Sequence, residues 1–238
     1  SAGRVQSVAL KLICEREYDR EGFAPQEYWT IKADFHKEQE KISAQLNSAD
    51  GNKLKKLDIS GEPLAKEITM RCEDTFFSIS DINKKPLKRN PRPPFITSTL
   101  QQEAARKLRF SADQTMRTAQ TLYEKAHITY MRTDSPIIVS EGITHIRNVI
   151  EDRYSSKYLP SQARVYKSKS KQAQEAHEAI RPTNVGKYPS EAGFSGEEAQ
   201  LYELIWNRAV SSQMESADVT QTDIFISSTD QNLTFKAT

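Results

Sequence analysis

Seven residues constrain this chain more than any others: Lys88, Arg89, Asn90, Pro91, Arg92, Pro93 and Pro94. Three prolines within four positions fix the backbone and remove three N–H donors. The stretch can therefore be neither the interior of a helix nor a central strand. It reads as a stiff, basic boundary, and the pattern differs on its two sides. Before it, Trp29, Ile31, Ala33 and Phe35 alternate with Thr30, Lys32 and Asp34, which is strand-like. Ala49-Asp50-Gly51-Asn52 is a turn signal, and Thr75 to Ile79 can form another strand. Residues 28–85 are thus predicted to be short antiparallel strands with polar outer faces. After the boundary the period becomes helical. Ser98 with Gln101 and Ser111 with Gln114 have the form of two N-terminal capping boxes. Each precedes an apolar stripe: Leu100, Ala104, Ala105 and Leu108, then Met116, Ala119, Leu122, Tyr123 and Ala126. Ile128 to Met131 follow as a short β-prone run. Helix, tight turn, helix and extended piece outline a helix-turn-helix or winged helix, although spacing alone is equally consistent with two helices that merely pack.

The remaining segments complete the organisation. Val5, Val8, Ala9, Leu12 and Ile13 predict a helix stopped by Gly22 and Pro25. Its start at Ser1, already in helical register, suggests that the sequence begins inside a larger protein. Further helices are predicted over 140–153, 174–180 and 197–210, and a polar loop over 162–174. Alternation returns after Met214, through Val219, Gln221, Asp223 and Phe225. The strands at the two ends can therefore belong to one β domain with the helical part inserted between them.

With 238 residues the chain is long enough for one or two domains with real cores. No apolar run reaches the length of a bilayer-spanning helix, and charged residues through the first twenty positions exclude a signal peptide. Cys14 and Cys72 are too few for a disulfide scaffold and fit a reducing compartment. The net charge of +2 hides an asymmetry. Residues 84–132 hold eleven Lys or Arg against three acids, and residues 188–238 hold two against eight. The basic half is a candidate surface for polyanions, with Arg106, Lys107, Arg109 and Arg117 suited to phosphate contacts; a solvated charged face has the same signature.

No Walker loop, dinucleotide fingerprint, cysteine cluster or nucleophile elbow is present. His177-Glu178 fails as a zinc helix because position 181 is Arg. The stretch richest in reactive groups is Tyr130-Met131-Arg132-Thr133-Asp134-Ser135. A phenol is protonated near neutrality and needs help to act as a nucleophile. On an extended backbone Arg132 faces the same way as Tyr130, so the oxygen could attack a phosphate while the guanidinium neutralises its non-bridging oxygens. Tyr130 could equally be a core tyrosine. His177 and Arg181, four apart, could grip a phosphate from one helix face, or His177 could simply be satisfied by a neighbouring Glu and the helix surface. Arg4 and Gln6 could meet nucleic acid near a helix start, or be solvated.

Four motifs together resemble the bacterial type IA DNA topoisomerase I family: Ser1-Ala2-Gly3-Arg4-Val5-Gln6-Ser7, Pro94 to Ala104, Ile128 to Ser135, and Glu175 to Thr183. The resemblance runs across essentially the whole chain. It implies that Tyr130 attacks a phosphodiester of single-stranded DNA and stays joined to the 5′ phosphate. Arg132 would hold that phosphate and Asp134 would organise the site, with Thr133, His177 and Arg181 as supporting or phosphate-contacting residues. Arg4, Gln6 and Ser7 would lie in the single-strand groove. It further implies ATP-independent relaxation of negatively supercoiled DNA, a monomer, and a cytoplasmic, nucleoid-associated place with no membrane. Magnesium would be bound by an amino-terminal Toprim domain preceding Ser1 and by no residue of this chain. The fragment alone would be incompetent for full turnover. The implied fold class is a multidomain α+β fragment. Residues 1–27 would be a helix of the base, 28–88 the first part of an antiparallel β arch, 89–214 a mostly helical, winged-helix-like domain carrying Tyr130, and 215–238 the return into the arch. The competing reading is a winged-helix-like DNA-binding module without catalysis.

Overall fold

The structure is a computed structural model that describes residues 3–167 and 177–238. It is a mixed α/β fold with an open sheet. It divides into two compact units, Ser1–Pro86 with Thr220–Thr238, and Leu87–Val219.

The first unit begins with α1 (Arg4–Glu21), closed by the Gly22 N–H on the Tyr18 carbonyl at 2.9 Å. Leu12 and Ile13 on this helix are 60% and 67% exposed, so its apolar stripe buries nothing here. Six strands follow: β1 (Lys32–Lys37), β2 (Glu40–Ala49), β3 (Asn52–Lys53), β4 (Phe77–Arg89), β5 (Ala217–Ser228) and β6 (Leu233–Ala237). The sheet order is β1-β2-β6-β5-β4, with β3 on β2. Strands from both ends of the chain therefore share one sheet, with β6 between β2 and β5. The β2–β3 hairpin turns through Asp50 and Gly51, both at positive φ (52° and 76°), as an Asp-Gly turn requires.

Two expectations change in this unit. Residues 28–85 are not all strand, because α2 (Glu62–Glu73) lies among them. It starts on Gly61 with Pro63 in its first turn, and Ala65 and Ile68 are buried in the sheet's core beside Leu46, Ile59 and Phe235. Phe35, Phe77 and Phe235 meet edge-on there, with ring centroids 5.4–5.5 Å apart. Second, β4 runs through Pro86 as far as Arg89, into the basic stretch. It is an edge strand of the sheet, the place where proline is tolerated.

The second unit holds α3 (Thr97–Leu108), α4 (Ala112–Glu124), α5 (Ser140–Tyr154) and α6 (Gly196–Ser212). α6 is its axis: Leu201, Tyr202, Ile205, Trp206 and Ala209 are buried against Phe95, Leu100, Leu122, Met131, Ile146 and Ile180. The polar atoms carried inward are satisfied. Trp206 Nε1 donates to the Val185 carbonyl at 2.8 Å and the Tyr202 hydroxyl to the Lys187 carbonyl at 2.8 Å. Burial pushes the Tyr202 phenol up to about 12.

The Ser111 capping box forms as its sequence predicts, with the Gln114 N–H on Ser111 Oγ at 3.1 Å. The one at Ser98 does not. α3 begins two residues earlier, with Ile96 as cap, and it is Thr99 Oγ1 that accepts the Ile96 N–H at 3.0 Å. The α3–α4 turn passes through Arg109 in the left-handed region (φ 62°). Residues 128–131 form no strand: Ile128 bridges only Pro182, and Phe95 bridges Ile180. The helix predicted over 174–180 also differs. Its first residues lie outside the described residues, and 177–180 is not helical but leads into the Phe95 bridge. Of the loop predicted over 162–174, residues 168–174 lie outside the described residues.

Candidate active site

After α4, Ala126 turns at φ 57° and the chain enters the segment 128–135. Burial along it alternates. Met131, Thr133 and Ser135 are buried; Tyr130, Arg132 and Asp134 are exposed. The chain bends at Met131 and Arg132 and is not a regular extended strand, so what the three candidate residues share is exposure to solvent within one short run. Without a sheet ladder, side chains must hold this backbone, and two threonines do. Thr97, the first residue of α3, donates its hydroxyl to the Met131 carbonyl at 2.7 Å and accepts the Thr133 N–H at 2.9 Å. The Thr97 N–H bonds the Thr133 carbonyl at 3.0 Å. Thr129 donates to the Ala179 carbonyl at 2.7 Å and accepts the Arg181 N–H at 2.9 Å, and its own N–H bonds the Arg181 carbonyl at 2.9 Å. Thr133 Oγ1 accepts the Ser135 N–H at 3.0 Å. The outward residues thus stand on a backbone pinned to α3 on one side and to 179–181 on the other.

Tyr130 is 44% exposed, with its ring edge-on to Tyr123 at 5.2 Å. Arg132, Thr133 and Asp134 line a groove of about 550 Å³ together with Ile96, Thr97, Ser98, Gln101, Met116 and His177. The structure therefore gathers Arg132, Thr133, Asp134 and His177, while Tyr130, two residues before Arg132, is exposed but does not line the groove. Thr133 contributes backbone order more than a free hydroxyl.

Arg181 is not brought to this groove. Its Nε and Nη2 bond the Glu178 carboxylate at 2.5 and 3.2 Å, and Nη1 donates to the Pro182 carbonyl at 3.0 Å. With 177–180 non-helical, His177 and Arg181 do not share a helix face. Arg4, Gln6 and Ser7 belong to α1 in the other unit, where Gln6 Oε1 accepts the Gly3 N–H at 3.3 Å.

Sequence reasoning missed Glu103, the electrostatic centre beside the site. Its nearly buried carboxylate lies 2.7 Å from Arg106, 3.2 Å from Lys107, 3.6 Å from Arg208 and 3.7 Å from Arg92. The Arg106 hydrogen bond leads the effects that hold Glu103 down at about 2. Arg106 and Lys107, expected on phosphates, are thus shared with a carboxylate, and Arg117 pairs with Asp113 at 3.3 Å. Four cations on one anion leave the neighbourhood positive. Thr97 was signalled only as one of three hydroxyls before an apolar stripe, which marks a helix start but not the distant backbone it holds.

Among the described residues no three His, Cys, Asp or Glu are gathered to hold a metal ion. Among those residues no helix is long and apolar enough to cross a membrane.

A family model described as DNA topoisomerase matches residues 1–238, and the chain belongs to that family as a bacterial type IA member. It is similar to the DNA topoisomerase 1 of Zymomonas mobilis, with 49% identity over 224 residues covering 94% of this chain and 18% of that protein. To the DNA topoisomerase 1 of Rickettsia bellii the identity is 48% over 227 residues, covering 91% and 28%. Among solved structures it is similar to full-length topoisomerase I from Thermotoga maritima, with a TM-score of 0.77 and 35% identity, covering 100% of this chain and 38% of that one. The chain spans well under half the length of these relatives.

Proposed function

We propose that this chain is the tyrosine-bearing part of an enzyme that relaxes negatively supercoiled DNA. In this reading the Tyr130 oxygen attacks a phosphodiester of single-stranded DNA. A bond forms between that oxygen and phosphorus, and the bond from phosphorus to the 3′ oxygen breaks. The phenol proton leaves, and the departing oxygen gains one to become a 3′ hydroxyl. The 5′ phosphate stays on Tyr130 until the 3′ hydroxyl reverses the step after strand passage. One phosphoester replaces another, so no ATP is needed. Arg132 neutralises the non-bridging oxygens, Asp134 orients the site, and His177 contacts a neighbouring phosphate. Arg181 acts from behind, through Glu178, in holding the segment that carries His177. Arg4, Gln6 and Ser7 contact the single strand. The sheet serves as an arch from which the helical unit carrying Tyr130 is inserted, and any magnesium of the whole enzyme is held outside the described residues. The protein acts as a monomer in the cytoplasm.

The observation that carries this reading is that Tyr130, Arg132 and Asp134 are all exposed within one short stretch of clasped backbone. This reading gives no residue of the chain the part of protonating the leaving oxygen, so the chain alone is not expected to relax a plasmid. The test uses end-labelled single-stranded DNA with a bridging 3′ sulfur at one phosphodiester, because a thiolate leaves without an acid. A denaturing gel is expected to show an adduct on the 5′-phosphate side that disappears in Tyr130→Phe and forms about 100-fold more slowly in Arg132→Ala. No adduct, or one that survives in Tyr130→Phe, overturns the assignment. Tighter binding to duplex of defined sequence than to single strands would favour a non-catalytic binding module instead.

A further inference from the structure

A second cavity opens beside the Arg132 groove within the same unit, with a volume of about 510 Å³. Ile96 and Asp134 belong to the linings of both, so the two are continuous along one surface. Its walls are apolar and rigid: Pro93, Pro94, Ile96 and Pro136. Its charged groups are Arg92, Lys167 and Arg208 against Glu103 and Asp134. Glu103 is already shared among four cations, so the excess charge is positive. Arg208 is held rather than free-swinging. Its guanidinium lies over the Phe95 ring at 4.2 Å, its side chain is 13% exposed, and its nearest oxygens are the Pro93 carbonyl at 3.4 Å and Glu103 at 3.6 Å. Those contacts are long for a guanidinium and leave it capacity for a further anion.

We propose that this cavity takes one unstacked nucleotide of the bound single strand, its base against the proline and isoleucine walls and its phosphate on Arg92, Lys167 and Arg208. The inference rests on the reading that a single strand passes the Arg132 groove. A free phosphate would need no apolar walls, and an apolar ligand would need no cationic rim. A nucleotide has both a face to bury and a charge to neutralise, and the volume lies within the range of small-ligand sites. Gln102, exposed at the mouth on α3, offers one amide donor and one acceptor to the edge of the base. The cavity thereby gives the strand a fixed register relative to Arg132.

The test is fluorescence anisotropy of the chain with a labelled 12-mer of mixed single-stranded sequence, and with a set in which one abasic residue is moved along it. Removing a base keeps its phosphate, so the series reports base contacts alone. One position is expected to weaken binding about tenfold when abasic. Gln102→Trp, which fills the cavity from an exposed position, is expected to abolish the sensitivity at that position and no other. Lys167→Ala is expected to reduce the slope of log K against log salt by about 0.7, the loss of one phosphate contact. Binding that depends on Arg132 but shows no such position, or one that Gln102→Trp leaves unchanged, overturns the pocket while leaving the strand path intact. Binding that is indifferent to Arg132→Ala overturns both.

Discussion

Thr97 carries more of the site's order than any residue that would touch DNA. Its hydroxyl and amide meet the Met131 carbonyl and both backbone groups of Thr133. Val has the same shape but can make neither side-chain bond, so Thr97→Val leaves the Met131 carbonyl and the Thr133 N–H unpaired at buried residues. The expected cost is about 1–3 kcal/mol, read from urea midpoints, because orphaned buried polar groups lose their solvation without replacement. If the clasp positions Arg132, adduct formation falls further than single-strand affinity does, and Thr97→Ser restores both. Equal losses in rate and affinity would leave Thr97 with a purely structural role. The alternating exposure of Tyr130 to Ser135 was legible as a period of two in the sequence, although the backbone that carries it is bent and forms no sheet. The sequence could not reveal Thr97, whose partners lie 34 to 36 residues away. Nor could it tell that Arg181 is held by Glu178, since a pair three apart reads alike on a helix and on the irregular segment found here.

At the scale of elements, α5 meets the 178–182 segment at Gly142. A Cβ there would lie 2.9 Å from Arg181 Cζ and 2.9 Å from Ile138 Cγ2. In an exposed helix Gly→Ala is worth up to about 1 kcal/mol of stabilisation. Here the new methyl would have to push aside a guanidinium pinned twice to Glu178, and overpacking costs about 1–3 kcal/mol. Gly142→Ala is therefore expected to lower Tm by several degrees, and an unchanged or higher Tm would mean that Arg181 swings away freely. α3 to α6 were legible because each shows an apolar stripe of helical period, and the Ser111 cap was legible because its box is local. α2 was missed although its signals were present: Glu62 and Pro63 at the start, then Ala65, Ile68 and Cys72 at helical spacing. Two turns of stripe amid alternating segments were outweighed by the strands on either side. The winged-helix outline gained its extended piece from composition. Ile128 to Met131 are β-prone, but hydroxyl clasps and single bridges take up the backbone groups that a strand partner would otherwise use.

Across the whole molecule, the asymmetry between a basic middle and an acidic end is partly cancelled in three dimensions. Lys125 meets Glu198 at 2.8 Å and Lys88 meets Asp218 at 3.9 Å. Most such pairs are exposed and contribute little each. Glu103 is different, because its carboxylate is nearly buried and its cations come from three separate stretches: Arg92, then Arg106 and Lys107, then Arg208. It ties the basic boundary segment, α3 and α6 together, and at neutral pH it keeps four like charges from repelling one another. Its folded pKa of about 2 lies below the ordinary value of 4.5. The stability it contributes is therefore fully present above about pH 4.5 and drains away as pH falls through about 2, below which the carboxyl is protonated in both folded and unfolded chains. Glu103→Gln keeps the shape and removes the charge. At pH 7 it is expected to cost about 2 kcal/mol, less than the shift alone implies, because three of the four cations remain largely solvated. The difference between wild type and variant should shrink through pH 4 and 3 and vanish only below about pH 2. Urea midpoints across that range decide the matter: a difference that stays constant with pH would mean that Glu103 acts through packing and not through its charge.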